Sequence, residues 1–421
     1  MNVVAAVIFA LALVHTFTAK SFETLAHRHP NHAGLFHLLG EVEVVFGFWA
    51  FILIGILAVF SGGQQAISYV ESRHYTEPLF VFVIMVVAAS RPVLEVVKSA
   101  IQSTASIIPI SNTLAQIWLG LAIVPLLGSL ITEPAAMTLA ALILAPLIFK
   151  QGIPEWLKYA ALGVLFVNIS IGGTLTSYAA PPVLMVASTW QWDSAFMAAT
   201  FGWKAAIAVV INATVISYFL RKHIVSMPAA RDALKESMKE TMIKTRVPFM
   251  VSLIHIMFLV GVVIFAHHPV IFFGLFLLFL GFTQAYERYQ SPLILKEGLL
   301  VGFFLAGLVV LGGMQQWWLQ PIVSSLAPLQ LFFGATALTA ITDNAALTYL
   351  GSLIVGMSDE AKYMLMAGAV TGGGLTIIAN APNPAGAALL KHGFNEGSIG
   401  AGALFLGALP PTIVAAVLFL I

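Results

Sequence analysis

Apolar stretches of bilayer-crossing length recur along almost the whole 421-residue chain, at 2–19, 38–62, 78–97, 158–190, 198–220, 247–266, 269–285, 293–313, 363–390 and 400–421. A membrane-spanning helix needs about 20 predominantly apolar residues. Stretches at this density leave no room for a sizeable soluble domain. Only 9% of the residues are charged, against roughly 25% in an average soluble domain. The expected class is an all-α polytopic membrane protein. The first stretch has no Lys or Arg before it and no clear small-residue cleavage pattern before Lys20, so it reads as a retained span and not a removed signal peptide. The absence of cysteine excludes disulfides and thiol chemistry, and a net charge of +1 gives no reason to expect nucleic acid.

Two further regions, about 105–149 and 318–357, are apolar but polar at their centres, as re-entrant hairpins would be. One sustained hydrophilic stretch, 221–246, carries seven Lys or Arg residues and reads as an amphipathic basic linker. It separates an N-terminal half, 1–220, from a C-terminal half, 247–421.

The halves repeat each other. Ile131-Thr132-Glu133-Pro134-Ala135-Ala136-Met137-Thr138 matches Ile341-Thr342-Asp343-Asn344-Ala345-Ala346-Leu347-Thr348 at five of eight positions. Gly172-Gly173-Thr174-Leu175-Thr176 matches Gly372-Gly373-Gly374-Leu375-Thr376 at four of five. Prolines follow both glycine runs, Pro181-Pro182 and Pro382-Asn383-Pro384, so each run is expected to break a helix. With about five spans per half plus a hairpin and a broken helix, the odd number inverts one repeat relative to the other. A cytoplasmic linker then puts Lys20, Arg28, Lys98, Lys150, Lys158, Arg288, Lys296 and Lys391 inside and only Arg73 and Lys362 outside. That bias follows the positive-inside rule and places both termini outside the cytoplasm.

Ionisable residues within membrane segments are costly and mark candidate sites. Glu133 and Asp343 occupy equivalent positions at the hairpin centres. Thr132, Thr138, Thr342, Asn344 and Thr348 add the oxygen ligands that small hard cations prefer. The breaks contribute Asn168, Gly172, Gly173, Thr174, Thr176 and Ser177 from one half, and Thr371, Gly373, Thr376, Asn380 and Asn383 from the other. Glu41 and Glu43 on the second span are further candidates for proton coupling. Arg91 and Glu95 have the spacing of a structural ion pair, and Lys204 that of a snorkelling lysine. His27, His29, His32 and His37 read as a hydrated, His-rich first loop.

The Thr342-Asp343-Asn344 and Thr132-Glu133-Pro134 tips, with the Asn168-x-x-x-Gly172-Gly173 break, resemble the hairpin and broken-helix motifs of the ion transporter superfamily. Within it the chain is similar to Na+/H+ antiporters of the NhaD-like type, over essentially its whole length at the level of topology. Two positions depart from the pattern. Pro134 follows the acid of the first tip, and no acid follows the second glycine run. The resemblance implies a homodimeric carrier in the bilayer of a bacterial inner membrane, with a scaffold and a mobile unit that moves as an elevator. It also implies a Na+ site at the hairpin tips, Glu133, Asp343 and Asn344. No cofactor is expected.

A midplane carboxylate can hold either a proton or a cation, so the leading expectation is exchange of Na+ or Li+ for H+ without nucleotide. No GxxxxGK[ST] motif is present. The alternative is an organic-anion, dicarboxylate or oxyanion carrier of the same superfamily, for which neutral tips would be expected. An enzyme is not expected, since HExxH is absent.

Overall fold

The computed structural model describes residues 1–224 and 246–421, and its regular structure is helical throughout those residues. The basic linker at 221–246 falls almost wholly outside the described residues. In order, the helices are α1 (Asn2–Arg28), α2 (Ala33–Gly40), α3 (Val42–Ser61), α4 (Gly63–Glu71), α5 (Thr76–Ala88), α6 (Arg91–Ile107), α7 (Asn112–Ile131), α8 (Glu133–Leu144), α9 (Glu155–Gly172), α10 (Pro181–Trp190) and α11 (Ser194–Ile224). After the linker come α12 (Phe249–Ile264), α13 (Pro269–Ala285), α14 (Leu295–Gly312), α15 (Gln316–Ser324), α16 (Pro328–Thr339), α17 (Asn344–Ser352), α18 (Asp359–Gly372), α19 (Asn383–Leu390) and α20 (Ala401–Leu420).

Among the described residues six helices are long and apolar enough to cross a membrane, and the α5–α6 pair, bent by 62°, makes a seventh. The others expected as spans are shorter: α12 and α13 have 16 and 17 residues, and α1 is apolar only over Asn2–Thr16. The protein is an integral, multi-pass membrane protein. The first hairpin region holds a full-length helix, α7, followed by the shorter α8. The His-rich segment is not a loop: α1 continues to Arg28, a single turn covers Pro30–His32, and α2 follows.

Burial sets the layers. In α9, 94% of the apolar window is buried, against 33% in α20. The interior of the bundle therefore lies along α9, and α20 covers it. Lipid replaces water outside, so apolar contrast cannot choose the inner face; small residues and polar contacts decide instead. Gly163 and Gly407 let α9 and α20 approach to backbone contact, and Gly47 and Gly307 do the same for α3 and α14. The two halves are interleaved. α10 packs on α17, and reciprocally α19 packs on α8, so the far end of each broken helix rests on the hairpin arm of the other half.

Candidate functional site

Both acids of the repeated segment lie at helix starts. Thr132, between α7 and α8, turns the chain at φ 73°, ψ 151°. A β-branched residue is an outlier there, at a cost of about 1–3 kcal/mol. The turn delivers Glu133 to the interior, where it is wholly buried. Its Oε2 accepts from Asn380 Nδ2 at 2.8 Å, while Oε1 has no hydrogen-bond partner among the described residues. Asp343 is used differently. It caps α17, accepting from the amides of Ala345 at 2.8 Å and Ala346 at 3.1 Å. It also borders a cavity of about 40 Å³ with Glu43 and Asn380, room for a water molecule or a small cation.

The glycine runs interrupt their helices as the sequence predicts. α9 ends at Gly172 and α10 begins at Pro181; α18 ends at Gly372 and α19 begins at Asn383. Each break is tied to the helix before its hairpin turn. Ser129 Oγ donates to Gly172 O (2.7 Å) and accepts from Leu175 N (2.9 Å), and Thr176 Oγ1 donates to Ser129 O (2.6 Å). In the other half Thr376 Oγ1 donates to Ala340 O at 2.8 Å. The two breaks cross each other. A side chain on Gly173 would strike the Glu133 carboxylate; one on Gly373 would strike Ser170 and Asn344; and Gly374 meets the backbone of Val167. Ser170 Oγ bridges the crossing to Val370 O at 2.7 Å.

The crossing gathers unpaired polar atoms. Eleven buried side-chain nitrogen or oxygen atoms lack a partner among the described residues. Eight of them belong to Thr132, Glu133, Thr339, Asn344 (both amide atoms), Thr371, Asn380 and Asn383. Buried polar groups are nearly always bonded, so a cluster of exceptions is a place for ordered water, a proton or a bound ion. Seven of the eight are oxygens, a donor set for a small hard cation.

Not every expected ligand joins this cluster. Asn168 is spent on Leu121 O (2.8 Å), Val209 O (3.3 Å) and Asn212, which donates to its Oδ1 at 3.0 Å. Thr138, Thr174, Thr342 and Thr348 bond to carbonyls of their own helical turns. Ser177 pairs with Ser194. Asn383 donates to Gly373 O (2.8 Å) and Thr376 O (2.9 Å), keeping only Oδ1 free. Glu41 stands at the head of α3 in an ion pair with the exposed Lys296 at 2.9 Å. Arg91 and Glu95 pair at 2.6 Å as expected. Lys204 reaches Tyr363 OH at 2.9 Å.

Sequence reasoning passed over Ser129, Thr339 and Ser170. A signal existed for the first two: each lies three residues before the acidic tip's threonine in its own half, a hydroxyl at the same repeat position. A second cavity of about 560 Å³ is lined in part by Arg73, His74, Glu77, His267, Tyr349 and Ser352, at the opposite end of α17 from Asp343. The nine residues of α17 separate the two cavities by about 14 Å.

A comparison of the sequence with curated proteins finds no match. The whole chain, residues 1–421, does match the model of the family described as "Putative Na+/H+ antiporter", and the protein belongs to that family.

Proposed function

We propose that the protein exchanges Na+ or Li+ for H+ by moving one cation site between two sides of the membrane. The observation that carries this reading is the unpaired Oε1 of the wholly buried Glu133, set among the free oxygens of Thr132, Asn344, Asn380 and Asn383. An ionised carboxylate with a bare oxygen in a dry interior costs several kcal/mol. Either a proton or a cation relieves that cost, and the two exclude each other. Asp343, whose oxygen is already held by two amides, borders the cavity from which either could arrive.

Two inverted repeats and an elevator motion complete the proposal. In their support, contacts between the halves join ends that the charge pattern assigns to one side. Glu41 meets Lys296 and Lys158 meets Gly393 O on the assigned cytoplasmic side; Arg73 lies beside Gly313 and Lys204 beside Tyr363 on the other. Cavities at both ends of α17 fit access from alternate sides. A homodimer in a bacterial inner membrane is part of the same reading.

Purified protein in vesicles carrying an internal pH dye tests it. Pulses of Na+ and Li+ should drive proton movement, and succinate should not. Apparent Na+ affinity should weaken as pH falls from 9 to 6, because protons then occupy the carboxylates. Proton movement with succinate and none with Na+ or Li+ would replace this reading with the anion-carrier alternative.

A further inference from the structure

The small cavity beside Asp343 is walled on its far side by a carboxylate from another part of the molecule, Glu43 on α3. α3 packs on α1, α2, α4 and α14, and none of these carries the hairpin tips or breaks. Asn380 lines the same cavity, is 1% exposed, keeps Oδ1 unpaired, and gives Nδ2 to Glu133. One small space therefore joins Glu43, Asp343 and, through Asn380, Glu133. Glu41, two residues away, is engaged by Lys296 at 2.9 Å. Among the described residues Glu43 makes no ion pair; it is half buried at the first turn of α3 and shares the small cavity with Asp343.

The geometry points to Glu43 as the proton carrier between Asp343 and the solvent at the Lys296 face, standing on the packed helices and not on the site itself. This rests on the exchange reading above and adds the proton's route to it. The step balances simply. When a cation arrives, the O–H bond of the Asp343 carboxyl breaks and the proton passes, across one water in the cavity, to an oxygen of Glu43. Asp343 is then ionised beside the cation, and Glu43 is neutral. Glu43 next releases the proton to water at the face where Glu41 and Lys296 lie. The charged groups acting on Glu43 include Glu41, Lys296 and Asp343, with Glu297 beside Lys296, and α2, packed on α3, carries the titratable His37 in its last turn. On α1, His15 has both ring nitrogens occupied, one by Trp49 Nε1 (3.0 Å) and one by Leu39 O (2.9 Å).

The test separates proton movement from cation movement. Glu43→Gln should slow Na+-driven proton movement in vesicles by about tenfold or more, the scale of a lost acid–base group. Radioactive Na+/Na+ counterflow, which moves no net proton, should stay within about twofold of the parent. Glu43→Asp should restore exchange, with the pH profile displaced to lower pH because aspartate is the stronger acid. Equal loss of counterflow and exchange in the Gln variant would make Glu43 a cation ligand or a structural group and overturn the assignment. Unchanged exchange in that variant would overturn it too. Should the Gln variant fail to insert, a Glu43→Asp pH profile identical to the parent's would likewise overturn it. If the parent itself exchanges no Na+ for H+, the functional reading fails before Glu43 is in question.

Discussion

Glu133 and Asp343 stand at the same position of two related segments, yet the fold treats them as different chemical objects. Glu133 is sunk behind a strained turn, takes one hydrogen bond from Asn380 and leaves Oε1 bare. Asp343 sits at a helix start, takes two backbone amides and borders a cavity. The deep acid depends on what binds it. The shallow acid is held by backbone amides and borders the small cavity shared with Glu43 and Asn380. On the exchange proposed above, the two positions would differ in role, Glu133 as the binder and Asp343 as the exchanger.

Removing each charge in turn is the hardest test of that contrast. Glu133→Gln should abolish both Na+ binding by calorimetry and Na+-driven proton movement. Asp343→Asn should reduce proton movement at least about 100-fold. Its Na+ binding should persist, weakened and with a flatter dependence on pH. Equal loss of binding in the two variants, or an Asp343→Asn protein that exchanges as well as the parent, would break the division of labour.

The glycines beside the tips give a smaller effect. In Gly173→Ala the new methyl presses on the Glu133 carboxylate, so apparent Na+ affinity should fall about tenfold. In Gly373→Ala the nearest obstacle is the Ser170 hydroxyl, which can rotate away at the cost of its bond to Val370, so affinity should fall less. The reverse order would mean that Asn344, also beside Gly373, dominates the site.

The smallest effect sharpens the comparison without touching charge. Thr132→Gly relieves a backbone conformation that only glycine adopts freely, and the gain exceeds the added flexibility of the unfolded chain by about 1 kcal/mol. The thermal midpoint should rise by about 1–2 °C. Thr342→Gly should lower it, because Thr342 has no such strain and loses its bond to Leu338 O. Two shifts of the same sign would show that the strain at Thr132 is not what distinguishes the tips.

The sequence carried some of this plainly. Apolar length and the Gly–Pro punctuation are local signals, so the membrane class and both helix breaks were readable, as were the paired tips. The burial of Glu133 was not. It depends on the turn at Thr132, and Thr342 precedes Asp343 in the same local pattern without that turn. Asn168 looked like a ligand because it precedes a break, but its oxygen belongs to Asn212, on a helix the sequence could not place beside it. Glu41 and Glu43 were indistinguishable until α14 brought Lys296 to one and α17 brought Asp343 near the other.

The crossing of the two broken helices also bears on how tightly the barrier is sealed. Gly374 on Val167 and Gly373 on Ser170 bring α18 and α9 together at backbone distance, with Ser170 bonded across the seam. Where even a methyl group would clash, no hydrated ion can pass along that seam. For the carrier proposed above, turnover rather than conductance would set the flux. The closeness of that seam rests on Gly373, Gly374 and Ser170, where larger side chains would force α18 and α9 apart.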